Sequence, residues 1–227
     1  MATRARAVAV VDVSDRSAPR ERAFDTLTNA TLLAREVPIG EVGAWRPLPF
    51  LYNEVLLWIE RCVTADDWFV PLSKRRPVMD WVFCGTVAGK PHAQRRAQLI
   101  AEVQQRWPRH RGGLATGISF VQALSALQAA RGGLDLPGEG ELCFRVHECL
   151  LLGVPLLRPW PFAIAMPTGI EAAFATSPDA LPTIDGEVVT TVYRERYAPV
   201  VAAQALLDAV AIRATGDQLL RAPLPTV

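Results

Sequence analysis

Histidine is scarce in this chain: His92, His110 and His147 are its three, scattered along 227 residues. Ser14, Ser73, Ser119 and Ser125 have none near them in sequence, and no G-x-S-x-G elbow exists. A hydrolytic triad therefore has no members to assemble. The Walker phosphate loop is missing as well, because Gly85-x-x-x-Gly89-Lys90 is one residue short and lacks a following Ser or Thr. Asp66-Asp67 is not a D-x-D pair, so that carboxylate clamp for a metal is lacking. The four cysteines, Cys62, Cys84, Cys143 and Cys149, include no C-x-x-C pair. They read as buried free thiols of a reducing cytosol. Cys143, His147 and Cys149 find no further cluster to complete a tetrahedron, so no metal is expected.

No apolar run reaches the length of a membrane helix. The basic start, Met1 to Arg6, leads into apolar residues that end at Asp12 without a cleavage-like tail. A cytoplasmic protein with no integral membrane segment is expected. The formal net charge of +1 gives no electrostatic case for nucleic acid. The basic runs Lys74-Arg75-Arg76 and Arg106 to Arg111 read as solvated.

What is present is an ordinary globular composition. Apolar residues make up 50% and charged residues 21%, enough to bury a core. The length allows one large or two small domains. Small and β-branched residues at 7–13 and 31–37 read as buried strands, followed by an extended connector at 45–50. A short helix at 54–62 and a linker at 64–77 come next. Residues 79–84 are the clearest strand, running into the flexible turn 85–89 and a helix over 93–107 with Leu99, Ile100 and Val103 as its apolar stripe. A strand at 114–119 precedes a helix at 120–130, closed by Gly132-Gly133. Further on, 178–186 reads as a loop, 188–193 as a strand and 199–212 as a last helix. Alternating strands and helices imply an α/β fold, with a Rossmann-like, mainly parallel sheet and helices on both faces. Its strands are 8–12, 81–84, 133–136 and 154–157. Ligands of such sheets bind at the carboxyl ends of the strands, which makes the turns at 85–90 and 137–141 candidates for one pocket.

The stretch from Gly133 to Leu157 carries the chemistry. A strand ends in Pro137-Gly138-Glu139-Gly140, and a helix follows with Arg145 and Glu148 on one face. That helix closes at Gly153. Backbone N–H groups at a helix N-terminus attract phosphate, an arginine fork binds its oxygens, and a carboxylate accepts from ribose hydroxyls. The pattern describes a site for a nucleoside diphosphate and its sugar. The Arg145–Glu148 pair reads as solvent-exposed, so losing Arg145 is expected to abolish binding without changing the melting temperature.

This string resembles the donor-binding half of GT-B glycosyltransferases, most closely the exostosin-like and related sugar transferases. Their motif runs roughly PG-x-G-x-x-x-x-R-x-x-E-x-L-x-x-G-x-P, met here by Pro137, Gly138, Gly140, Arg145, Glu148, Leu150, Gly153 and Pro155. Phe83-Cys-Gly-Thr86 with Arg95 or Arg96 is similar to the family's F-x-G-T strand and later arginine. Asp12 to Asp15, Arg35 to Pro38, Pro47 to Phe50, and Tyr193, Tyr197 and Pro199 are similar to flanking signatures. The resemblance implies metal-independent transfer of a sugar from a nucleotide-activated donor to an acceptor hydroxyl, the donor being a substrate and no cofactor being needed. It implies donor-binding roles for Gly85, Thr86, Lys90, Arg95, Gly138, Gly140, Arg145 and Glu148. Asp12 and Asp15 are the candidate general bases. Residues 1–70 are then a remnant of the acceptor-side region with a linker, 71–227 the donor domain, and the N-terminal half of a GT-B fold is largely missing. A partner protein supplying the acceptor side is one consequence; the alternative is a non-catalytic nucleotide-sugar-binding domain.

Overall fold

A computed structural model describes residues 8–12, 30–34, 37, 39, 45–47, 74–89, 91–138, 140–166 and 169–214. Two parallel sheets organise them. In the first, β1 (Val8–Asp12), β2 (Ala30–Ala34) and β3 (Arg46–Pro47) lie in that order. All five residues of β2 are buried, as a strand covered on both faces requires. Trp45, at the start of the expected connector, packs with Val37, Ala30, Leu32 and Ala34 instead of running free. The expected helix at 54–62 lies outside the described residues.

The second sheet begins at β4 (Met79–Cys84) and continues through helix α1 (Pro91–Arg106), β5 (Gly112–Ala115), helix α2 (Phe120–Gln128) and β6 (Ala130–Leu134). Helix α3 (Phe144–Leu151) and the short strands β7 (Leu156–Leu157) and β8 (Phe174–Ala175) follow. Every pairing is parallel, and the order is β5-β4-β6-β7-β8. The chain is a mixed α/β protein with a Rossmann-like sheet. Side chains alternate across β4, as the period of a strand dictates. Trp81 and Phe83 meet Ile100 and Val103 of α1 on one face; Val82 and Cys84 meet α2 and α3 on the other. Chain order reverses between β4 and β6, so α1 and α3 depart to opposite faces at the carboxyl ends of those two strands, the position at which open α/β sheets form their ligand crevice.

Several expectations need correcting. Gly132 and Gly133 do not close α2 but lie inside β6. A Cβ on Gly132 would sit 2.4 Å from Leu181 Cδ2, and one on Gly133 would sit 2.5 Å from Cys149 Sγ. Glycine is there because both layers press against the sheet. The β6 strand therefore starts at Ala130, ahead of the expected 133–136. Likewise β5 sits at 112–115 and not 114–119, and only the last two residues of 154–157 form β7. Residues 188–193 are helical, as part of α4 (Gly186–Val192) and of a π-helical turn, Tyr193–Tyr197. Asp185 caps α4 by accepting from the Glu187 N–H, and Val189 and Val192 are buried three residues apart. Capping and burial override the β preference of Val-Val-Thr-Thr-Val. The expected loop at 178–186 holds a 3-10 turn, Pro178–Thr183.

Arg75 is not a solvated linker residue either. Its guanidinium donates to Gln128 O at 3.3 Å, Ala130 O at 2.6 Å and Gly153 O at 3.0 Å. It fills carbonyls left open at the ends of α2 and α3, where a cation also suits the helix dipoles.

The two sheets are tied at their carboxyl edges. Beyond β2, the Ile39 N–H donates to Ala163 O at 3.3 Å; beyond β7, the Ala165 N–H donates to Val37 O at 2.8 Å. Helix α5 (Pro199–Ala214) starts against the core of the five-stranded sheet, where Val201 packs, and contacts β1 and β2.

Candidate functional site

The crevice between β4 and β6 gathers several of the expected residues. After β4 come Gly85 and Thr86; after β6 come Asp135, Pro137, Gly138 and Gly140. One arginine of α1 spans both loops. It is Arg96, donating from Nε to Pro137 O at 3.1 Å and from Nη1 to Thr86 O at 3.4 Å, with its guanidinium 5.7 Å from the Phe83 ring centre. Arg95 is exposed. A helix turns by 100° per residue, so one of two adjacent arginines faces the sheet, and the phase set by buried Ala93, Ile100 and Val103 selects Arg96. Lys90 and Asp15 lie outside the described residues. Asp12 is the last residue of β1.

Gly138 behaves differently from an open phosphate cradle. Its N–H is used within the loop, donating to Gly140 O at 2.9 Å. A Cβ there would sit 2.9 Å from Arg96 Nη2 and 3.0 Å from Cys143 Sγ. The glycine admits the arginine.

On α3, Arg145 and Glu148 are in ion-pair contact, as expected from their spacing. The pair is not solvent-exposed: the side chains are 17% and 7% accessible. Burial raises the Glu148 pKa, against the opposing pull of Arg145. Burial also raises the Cys84 thiol at the end of β4, with Arg145 lowering it and Glu148 raising it. Both residues are thus electrostatically coupled to Cys84, the last residue of β4. Arg145 Nε is buried and finds no hydrogen-bond acceptor among the described residues. A buried guanidinium N–H without an acceptor is costly.

Sequence reasoning missed a second charged group. Arg158, directly after β7, is 1% accessible in its side chain. Its Nη1 donates to Asp135 Oδ2 at 2.7 Å, its Nη2 pairs with Glu141, and its Nε donates to Trp160 O at 3.3 Å. The Phe162 ring centre lies 3.8 Å from its Cζ. The available signal was a charge inside each of two apolar runs, Leu134-Asp135-Leu136 and Leu157-Arg158, since buried charges must be paired.

Burial pushes the Asp135 pKa up to about 6; Arg158 opposes this, Glu141 adds to it and Arg96 opposes it. Because the folded value exceeds the unfolded one of about 4, the native state binds more protons between about pH 4 and 6. This group's contribution to stability therefore falls as pH rises through that window, by about 2–3 kcal/mol. Asn cannot titrate, so Asp135→Asn is expected to gain on the wild type between pH 4 and 7 in urea denaturation. Parallel pH profiles would refute this.

A separate groove of about 270 Å³ lies against α4 and the π turn, lined by Gly169, Val188, Thr191 and Arg196 among others. It shares no residue with the crevice. Among the described residues, no helix is long and apolar enough to cross a membrane. No protein-family model and no curated protein matches this chain.

Proposed function

We propose that the chain binds a nucleotide-activated sugar at the β4–β6 crevice and transfers the sugar to an acceptor hydroxyl, as the GT-B glycosyltransferases it resembles do. One observation carries the reading. Arg96 bridges the loops at the carboxyl ends of β4 and β6, where chain order reverses, and the buried Arg145–Glu148 pair lies on α3, the helix that follows the second of these loops. Open α/β sheets bind their ligands there. The unfilled Nε of Arg145 offers a donor to a diphosphate oxygen. Arg96 adds positive charge at the ends of β4 and β6.

In the reaction, the prepositioned guanidinium groups neutralise charge building on the departing nucleoside diphosphate. Glu148 accepts from hydroxyls of the donor ribose or sugar. Asp12, at the carboxyl end of β1, is the candidate base for the acceptor hydroxyl. The tie between the two carboxyl edges supports placing donor and base on the two sides of one cleft.

A thermal-shift screen of nucleoside diphosphates and their sugars tests the binding step. At a hundred times its dissociation constant a ligand adds about 2.7 kcal/mol, a rise of about 5–10 °C for a protein of this size. No shift with any nucleoside diphosphate would overturn the proposal. Binding without release of diphosphate from the sugar donor, across a panel of hydroxyl acceptors, would leave a nucleotide-sugar-binding domain.

A further inference from the structure

The loop from Asp135 to Cys143 is held from two sides. On the α1 side Arg96 takes Pro137 O. On the other, Arg158 takes Asp135 and Glu141, the two carboxylates that flank the Pro137–Gly140 turn. Arg158 also donates to Trp160 O and lies over Phe162. Those residues begin the segment whose Ala163 and Ala165 bond to Val37 and Ile39 beyond β2. One buried cation therefore joins the glycine turn to the strip that ties the two sheets. Each of the three guanidinium nitrogens of Arg158 is directed at its own chain, and the side chain is 1% accessible, so it is not placed as a ligand for substrate.

We propose that Arg158 is a positioning residue: it sets the conformation of the Pro137–Cys143 loop and couples that loop to the segment linking the two carboxyl edges. The consequence for nucleoside diphosphate affinity rests on the donor-site reading above; the control of the loop does not. Arg158 acts through Glu141 and Asp135 and touches no substrate itself. Guanidinium geometry suits it to the task, since one planar fork addresses two carboxylates at once.

The test uses the full chain without ligand, followed by hydrogen–deuterium exchange. Glu141→Gln keeps the buried Arg158–Asp135 pair and removes only the charge on the far side of the turn. Amides 138–143 are expected to exchange about tenfold faster, the cost of one charge-assisted bond, while β4 and β6 remain the slowly exchanging strands and the melting temperature falls by only about 3–6 °C. The dissociation constant for a nucleoside diphosphate rises by about the same factor. Arg158→Met shows the same loop effect and extends it to residues 159–165. If Arg158→Met fails to fold, Glu141→Gln decides alone. Unchanged exchange of 138–143 in Glu141→Gln overturns the proposal, whatever the protein binds. Faster loop exchange in a protein whose wild type binds no nucleoside diphosphate supports the positioning role and overturns the donor-site reading.

Discussion

Gly133→Val is expected to leave no stably folded five-stranded sheet at 25 °C. Gly133 lies in β6, between β4 and β7, so the strand has no free edge toward which to shift. A Cβ alone would come within 2.5 Å of Cys149 Sγ and 3.1 Å of Leu127 Cδ2. Cys149 and Leu127 are both fully buried. Valine adds two methyl groups beyond that Cβ, so α3 has to leave the sheet or the sheet has to break. Overpacking of about 1–3 kcal/mol is usual where a core can yield. This site cannot, and a penalty of about 4 kcal/mol or more consumes much of a total stability of about 5–15 kcal/mol. Gly133→Ala is the measurable form, with an expected loss of about 2–3 kcal/mol in urea denaturation. Cys149→Ala removes the atom that the new Cβ meets, so the double variant should recover part of the loss. Additivity of the two single changes would sink the argument, and so would a Gly133→Val protein that melts like the wild type.

Arg145 variants are expected to lose nucleoside diphosphate binding by about a hundredfold or more, the cost of removing a charged donor from a desolvated phosphate contact. Arg145→Lys should fail in large part too, because an ammonium lacks the planar fork. The pair's burial alters the second half of the expectation. Arg145→Ala leaves Glu148 buried without its cation, so the unliganded protein should melt lower rather than unchanged. The sign with pH is fixed. Burial already raises the Glu148 pKa, and removing Arg145 removes the largest opposing influence. The folded variant then favours protonated Glu148, and its deficit grows with pH above the unfolded carboxylate pKa of about 4.3. Arg145→Met combined with Glu148→Gln avoids the orphaned charge. That double variant should fold and still not bind. Wild-type affinity in it would move the pocket elsewhere.

The extent to which the sequence disclosed this structure follows the range of the forces involved. β1 and β4 are legible as short apolar runs, and the end of α3 is legible because Gly153 takes a left-handed φ of 64° that glycine tolerates best. The N–H groups of Gly153 and Val154 then close the helix on Leu150 O and Cys149 O. The same residue type misleads at 132–133, where its cause is the approach of Leu181 and Cys149 across two faces of the sheet. No local pattern reports that. In the site, the i,i+3 spacing gave Arg145 and Glu148 a common face, but their burial depends on tertiary packing around α3, which spacing does not report. Arg96 and Arg95 are equivalent in composition and separated only by helix phase. The Asp135–Arg158 pair, 23 residues apart, is visible only once β6 and β7 are neighbours.

Arg75 decides where this chain can be divided. It precedes β4, the first strand of the five-stranded sheet, yet its side chain closes helix ends 53 and 78 residues downstream. An excised fragment that begins at β4 would look complete by its strand list. It would still expose the carbonyls of Gln128, Ala130 and Gly153 without their donor. The unit defined by hydrogen bonding therefore starts upstream of the unit defined by strands, and a fragment for crystallisation or fusion has to begin before residue 75.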